Sequence, residues 1–391
     1  MKWTKYLIAT LITCCILLMN SVVIFGETMP DEKKNEMTEE INLDGIQTYW
    51  QKIVQDYGPY IDGLNKGPVS EMIKGDASIS FKNIFYGLLE YLFHELILNG
   101  KLMGSLLLLT LFSAVLQTMH NAFEGSTVSR VAYFVVYLVL IYLALNSFYL
   151  SVTYAKNAID GMSGFMIALI PLVLGLMATF GQVVSVSFFH PFIIFLIHLS
   201  GIIVSRFIMP LLFLSALMHI VSSLNDRYKV THLADLFKNV ALGVLGSFMT
   251  IFIGVMSVQG AASAIQDGVA MKTAKFITGN FIPVVGRTLT DAADTMLSAS
   301  LLLKNAVGVV GLAILVMLAL FPAVKIFVIA FVYKLSAALL QPLGDGPVIT
   351  VMNTMSKFIV YILACLLIVT FMFFLAIAII VISSNITLLL R

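Results

Sequence analysis

Arg287, Asp291 and Asp294 stand at i, i+4 and i+7, a spacing that brings a cation and two acids onto one face of a helix, with Ser298 extending it. Arg287 and Asp291 can pair, which lowers the cost of holding either charge in a low-dielectric region. Pro283 and Gly286 come just before them in FITGNFIPVVGRTLTDAADTM (276–296), and both loosen a helical backbone. Broken helices of this sort carry binding sites in transporters. The segment therefore reads as a proline-bent helix whose polar stripe faces a water-filled cavity or a partner. An amphipathic helix at the membrane interface, its charges towards headgroups, fits the same residues.

Two other groups could do chemistry. Gly161-Met-Ser163-Gly is a GxSG sequence and His198-Leu-Ser-Gly201 an HxxG sequence. Intramembrane serine proteases of the rhomboid type place such a serine and histidine on facing helices, where the histidine takes the serine's proton. Both motifs are short, and Ser and Gly are frequent where membrane helices touch, so this is a remote alternative. Arg227, Lys229 and Lys238 fall within NDRYKVTHLADLFKN (225–239), the most cationic turn, and could contact a cytoplasmic partner or simply anchor the turn on the positive side. His94 and Glu95 are adjacent, so on a helix they point about 100° apart and make a poor metal pair. No P-loop, HExxH, glycine-rich dinucleotide fingerprint or cysteine cluster is present, and Cys14, Cys15 and Cys365 form no placed pair. No catalytic, cofactor-binding or metal site is expected.

The elements holding these residues are set by composition. Of 391 residues, 60% are hydrophobic and 11% charged, and the net charge of +2 gives no footing for nucleic acid. The apolar residues fall in blocks near the ~20 residues that cross a bilayer as helix. The expected fold is all-α: a polytopic helical membrane protein of about eight to ten spans. Residues 1–26 read as a signal peptide or anchor, with Lys2 and Lys5 before an apolar run. Residues 27–100 read as an extracytoplasmic segment ending in an interfacial helix, and 101–391 as the membrane domain. Within the hydrophilic stretch Ile46, Trp50, Ile53 and Tyr57 recur at helical spacing, and Gly58-Pro59 should stop that helix.

Spans are expected near 102–119, 131–154, 162–180, 186–204, 207–223, 240–258, 301–320, 323–340 and 358–382. Starting outside at residue 100, alternation puts Arg130, the Arg227/Lys229/Lys238 group, Lys304 and Lys357 in the cytoplasm, provided 276–297 also crosses. If that segment dips in and returns, everything after it changes side. The chain also carries a possible tandem repeat of four-element units, about 162–258 and 274–382. Pro171 and Pro283 are 112 residues apart, as are Pro210 and Pro322.

Residues 272–347 carry a further likeness. KTAKFITGNFIPVVGRTLTDAADTMLSASLLLKNAVGVVG, followed by KLSAALLQPLGDGPVI, closely resembles the stage III sporulation protein AE family of endospore-forming bacteria, and the likeness extends over the whole chain, including YGPY (57–60). The resemblance implies a multi-pass protein of the mother-cell membrane around the engulfed forespore. It implies a channel or secretion complex with the other stage III sporulation A-operon proteins, among them a cytoplasmic secretion-type ATPase, and indirectly with stage II sporulation protein Q. In that complex the chain would be a permease-like membrane component. A stand-alone ion-coupled transporter and a non-transporting scaffold remain as alternatives. The family supplies no catalytic residue.

Overall fold

The computed structural model describes residues 43–61, 64, 67–74, 81–122, 127–179, 182–223, 230–281, 285–343 and 346–389; the signal or anchor at 1–26 lies outside them. Every regular element among these is helical. The helices are α1 (Asp44–Tyr57), α2 (Val69–Lys74), α3 (Phe81–Leu98), α4 (Gly100–Ala122), α5 (Thr127–Thr179), α6 (Val183–Ile202), α7 (Met209–Ser222), α8 (Thr231–Phe281), α9 (Val285–Leu340) and α10 (Pro347–Leu389). A π-helical turn, Ile203–Ile208, joins α6 to α7 without a break. Five of these rods are long and apolar enough to cross a membrane, and six if α3 and α4, which meet at 44°, count as one.

The all-helical, polytopic reading holds, but the rods are longer than the expected spans. Segments 131–154 and 162–180 are one helix, α5, of 53 residues. Segments 186–204 and 207–223 are one rod through the π turn, and 301–320 and 323–340 are both within α9. Charges and a proline interrupt these apolar segments: Lys156 and Asp160 lie between the first two, Arg206 between the next two and Pro322 between the last two. A short polar interruption stops a membrane span but not a helix, because Ala, Lys and Asn between 155 and 158 keep helical geometry. One interior proline removes one hydrogen bond and bends the rod rather than ending it. The two middle elements of both repeat units fuse in the same way.

The rods double back on one another. Tyr137 Oη lies 2.8 Å from Ser223 Oγ, Lys334 Nζ donates to Asn353 Oδ1 at 2.8 Å, and Lys304 Nζ donates to the Val381 carbonyl at 3.0 Å. Residues 127, 222, 231, 340 and 347 thus share one end of the bundle, and 179, 183, 281, 285 and 389 the other. This corrects one expectation. Segment 276–297, open between a crossing and a re-entrant dip, holds the end of α8 and the start of α9. Lys304 and Lys357, expected on one side, sit towards opposite ends of the α9–α10 hairpin, and Lys304 is fully buried. Three expected crossings between 276 and 340 become one, so the parity, and the side of every later element, is unchanged.

At the axis is α10, packed against α5, α7, α8 and α9. It is apolar all round its middle, as a helix surrounded on every side must be, and Ile362, Leu366, Val369, Phe373 and Ile377 are all buried. Outside this core the apolar surface is uneven. On α5, Val131, Phe134, Val135, Leu138, Val139, Tyr142, Tyr149 and Leu150 are exposed, against Ile167 alone beyond Asp160. On α9, Phe327, Phe331 and Leu339 are exposed, all on the Leu340 side of Lys325.

Helix α1 forms as its spacing predicts, burying Ile46, Trp50 and Ile53, and gives way to a 3-10 turn at Gly58–Tyr60. It docks on the bundle: Tyr49 meets Phe165 edge-on at 5.6 Å, and Tyr57 stacks on Phe321 at 3.7 Å. Close approach depends on Gly164, where a Cβ would come within 2.4 Å of Tyr49 Oη.

Candidate functional site

A set of charges lies part-way along the rods, at one level. Lys156 and Asp160 come from α5, Arg206 from the π turn and Lys325 from α9, while α1 and α3 bring Lys52, Asp56 and Glu95. Hydrocarbon rejects charges gathered in such numbers, so the belt sits where water or headgroups reach it. Two cavities open in it, on two faces of α5.

The inner cavity, about 160 Å³, lies between α1, α5 and α9 and is lined by Lys52, Asp56, Tyr57, Tyr154, Asn157 and Lys325. Lys325 Nζ is 3.6 Å from Glu95 Oε1 and 5.4 Å from the Tyr154 ring centre, so one ammonium meets both a carboxylate and an aromatic face. Glu95 is buried and Lys325 only partly so. Burial, and then the nearby Asp56 and Glu95 carboxylates, push the Tyr57 hydroxyl up to about 12, which keeps it a neutral donor. Glu95 appeared in the sequence as one charge of an interfacial helix. Its partner is 230 positions away, and no local spacing could reveal it.

The outer cavity, about 550 Å³, lies between α5 and α6 with its π turn. Lys156, Asp160, Ser163, His198, Ser205 and Arg206 line it. The structure therefore brings the GxSG serine and the HxxG histidine to one place. Ser163 Oγ nevertheless makes no hydrogen bond, so the bonded nucleophile–base pair that activates a serine is absent from this geometry. Ser205 Oγ is likewise buried without a partner. Turns of π-helix are often found at functional sites, and this one carries both Ser205 and Arg206.

The other expected residues fare differently. Pro283 lies outside the described residues, as do the side chains of Gly286, Arg287, Asp291 and Asp294, whose backbone forms the first turns of α9. Arg227 and Lys229 also lie outside them. Lys238 is not in a loop but on α8, where its Nζ bonds Asp235 Oδ1, and the same oxygen lies 3.5 Å from His219 Nε2. His219 is thus a polar contact between α7 and α8. Glu95 turns to Lys325 while His94 packs on the Tyr60 ring, and no group of metal-ligating side chains forms among the described residues.

No solved structure matches the chain. Stage III sporulation protein AE of Bacillus subtilis (strain 168) is 52% identical over 351 residues, covering 90% of this chain and 88% of that protein. The family description "Stage III sporulation protein AE" matches residues 65–384, which takes in α2 to α9, most of α10, the outer cavity and the α5 and α9 sides of the inner one. An apolar helical bundle with this extent of likeness leaves one assignment: the chain belongs to the stage III sporulation protein AE family.

Proposed function

We propose that this sporulation protein is the permease-like membrane component of the channel or secretion complex between mother cell and forespore. It sits in the mother-cell membrane and works with the other stage III sporulation A-operon proteins, including the cytoplasmic secretion-type ATPase, and indirectly with stage II sporulation protein Q. The observation that carries the reading is the charged belt, with two polar cavities inside an otherwise apolar bundle. The reading assigns no catalytic residue, and binding and passage rest on the belt and on the stripe of Arg287, Asp291 and Asp294 at the α8–α9 junction.

A stand-alone ion-coupled transporter is a second reading, favoured by Asp267, which is 1% exposed inside the apolar rod of α8. Sporulating strains carrying replacements at Arg287, Asp291 and Asp294, and separately Asp267→Asn, decide between them. Spore yield and protein level are scored together. The channel reading expects a fall in yield at normal protein level for the stripe. A triple neutral variant that sporulates normally at normal level defeats the stripe, and a defect confined to Asp267→Asn favours ion coupling.

A further inference from the structure

The belt meets the outside of the bundle in the cleft between α5 and α6, and its surroundings limit what that cleft can hold. A helix of 53 residues is about 80 Å long, against about 30 Å of bilayer hydrocarbon, so a membrane surface must cross the rods part-way. Two features of the α1 side of α5 put that surface at the belt. The exposed large apolar side chains of α5 concentrate on the half between the belt and the Arg130 end, whereas α6 and α8 also expose Phe192, Phe195, Ile251, Val258 and Ile265 beyond it. Against the other half of α5, near Ala168 and Phe165, lies α1, with Gln51, Lys52, Gln55 and Asp56 exposed, a face suited to water.

We propose that the cleft between α5 and α6 binds the phosphate of an anionic lipid headgroup, with Lys156 and Arg206 balancing its charge and the hydroxyls of Ser163 and Ser205 donating to its oxygens. Both hydroxyl oxygens are buried and make no other hydrogen bond. The cleft holds two cations, Lys156 and Arg206, and one acid, Asp160, a net charge of +1 from these three. A phosphodiester monoanion brings that to zero. Ile167 and Ile202 line the same cleft and are exposed, offering apolar surface where the glycerol and acyl chains leave the headgroup. Basic pockets between membrane helices take lipid headgroups by this chemistry. A soluble phosphate could use the same donors, but the exposed apolar band beginning beside the cleft favours the lipid. Such a site would fix the height of the rods in the membrane, and it does not depend on the channel reading.

The test uses the full chain purified in neutral detergent, with phosphatidylglycerol, phosphatidylcholine and inorganic phosphate as probes and lipid retention read by native mass spectrometry. Phosphatidylglycerol should be retained and phosphatidylcholine should not. Replacing Lys156 and Arg206 together by Gln should weaken retention roughly thirtyfold, the factor for two basic groups near a lipid surface. Lys272→Gln, an exposed cation on α8 away from the cleft, should change nothing. Ser205→Leu keeps every charge but blocks the floor, and should also lose the lipid, which guards against a double variant that fails to fold. Equal retention of the two lipids, or full retention by Ser205→Leu and by the double variant, overturns the proposal. Displacement by inorganic phosphate at low concentration would assign the site to a soluble phosphate and overturn the lipid assignment.

Discussion

Glu95 Oε1 lies 3.6 Å from Lys325 Nζ, so a helix from the segment before the membrane domain is pinned by charge to a rod that begins almost two hundred residues later. Removing one partner leaves the other stranded beside an apolar core, whereas removing both does not. Since Lys325 is partly exposed, Glu95→Gln or Lys325→Gln alone should cost about 1–3 kcal/mol, and the double replacement less than either. Thermal unfolding of the purified protein in detergent measures all three; strictly additive losses would show that the pair is not coupled.

The docking of α1 is steric at Gly164. A Cβ there would press on Tyr49 Oη at 2.4 Å but meet the next ring atom, Cζ, at an ordinary 3.5 Å. Gly164→Ala should therefore loosen α1, by roughly 1–3 kcal/mol as overpacking does, and Tyr49→Phe should relieve it. Limited proteolysis of the segment before α3 reports this directly. Unaltered protection in Gly164→Ala, or no rescue by Tyr49→Phe, would mean that α1 is held elsewhere.

Sidedness distinguishes the long rods from the short spans. The nine short spans together with a crossing at 276–297 put 180 on the same side as Lys357, whereas the continuous α5 puts Thr179 at the opposite end. Cysteines introduced singly at Thr179 and Lys357, both exposed, in a chain lacking Cys14, Cys15 and Cys365, should differ in reaction with a membrane-impermeant thiol reagent applied from outside. Thr179→Cys should label and Lys357→Cys should not, and a reporter fused near Lys66 should be active only when exported. Equal labelling at the two positions would mean that α5 turns back on itself.

The cationic turn yields a partner prediction with one amendment. Lys238 is already engaged by Asp235, so reversing it disturbs α8 as well as any contact. Arg227→Glu with Lys229→Glu should abolish recovery of the proposed ATPase partner while the protein still inserts. Unchanged recovery would leave those two residues as plain positive-side anchors.

For the stripe at the α8–α9 junction, single cysteines at Arg287, Asp291 and Asp294 should react with a small impermeant thiol reagent more than those at Val284, Leu289 and Ala293. Asp291→Asn alone should harm function more than removing Arg287 and Asp291 together, since a lone charge in a low-dielectric region is costly and a missing pair is not. Labelling without helical periodicity would make the segment an interfacial helix instead.

What the sequence by itself determined was class and local form. Apolar blocks with few charges dictate a helical membrane protein, the spacing of Ile46, Trp50 and Ile53 dictates α1, and Gly58-Pro59 ends it. These follow from periodicity and backbone chemistry within a turn or two of helix. The likeness of residues 272–347 to one family was also legible, because a long specific motif needs no fold to be read. Tertiary structure decided the rest. Whether Lys156, Asp160 and Arg206 mark loops or a belt depends on whether the helix continues through them, and a helix is indifferent to an isolated charge that a bilayer would reject. Which face of α5 becomes a cavity depends on α1, α6 and α9, whose lining residues come from distant parts of the chain. The Glu95–Lys325 pair, the burial of Lys304 against Val381 and the meeting of Ser163 with His198 all join residues far apart in the chain. Only packing brings such residues together, because the free energy of their contact belongs to the assembled bundle and leaves no trace in local spacing.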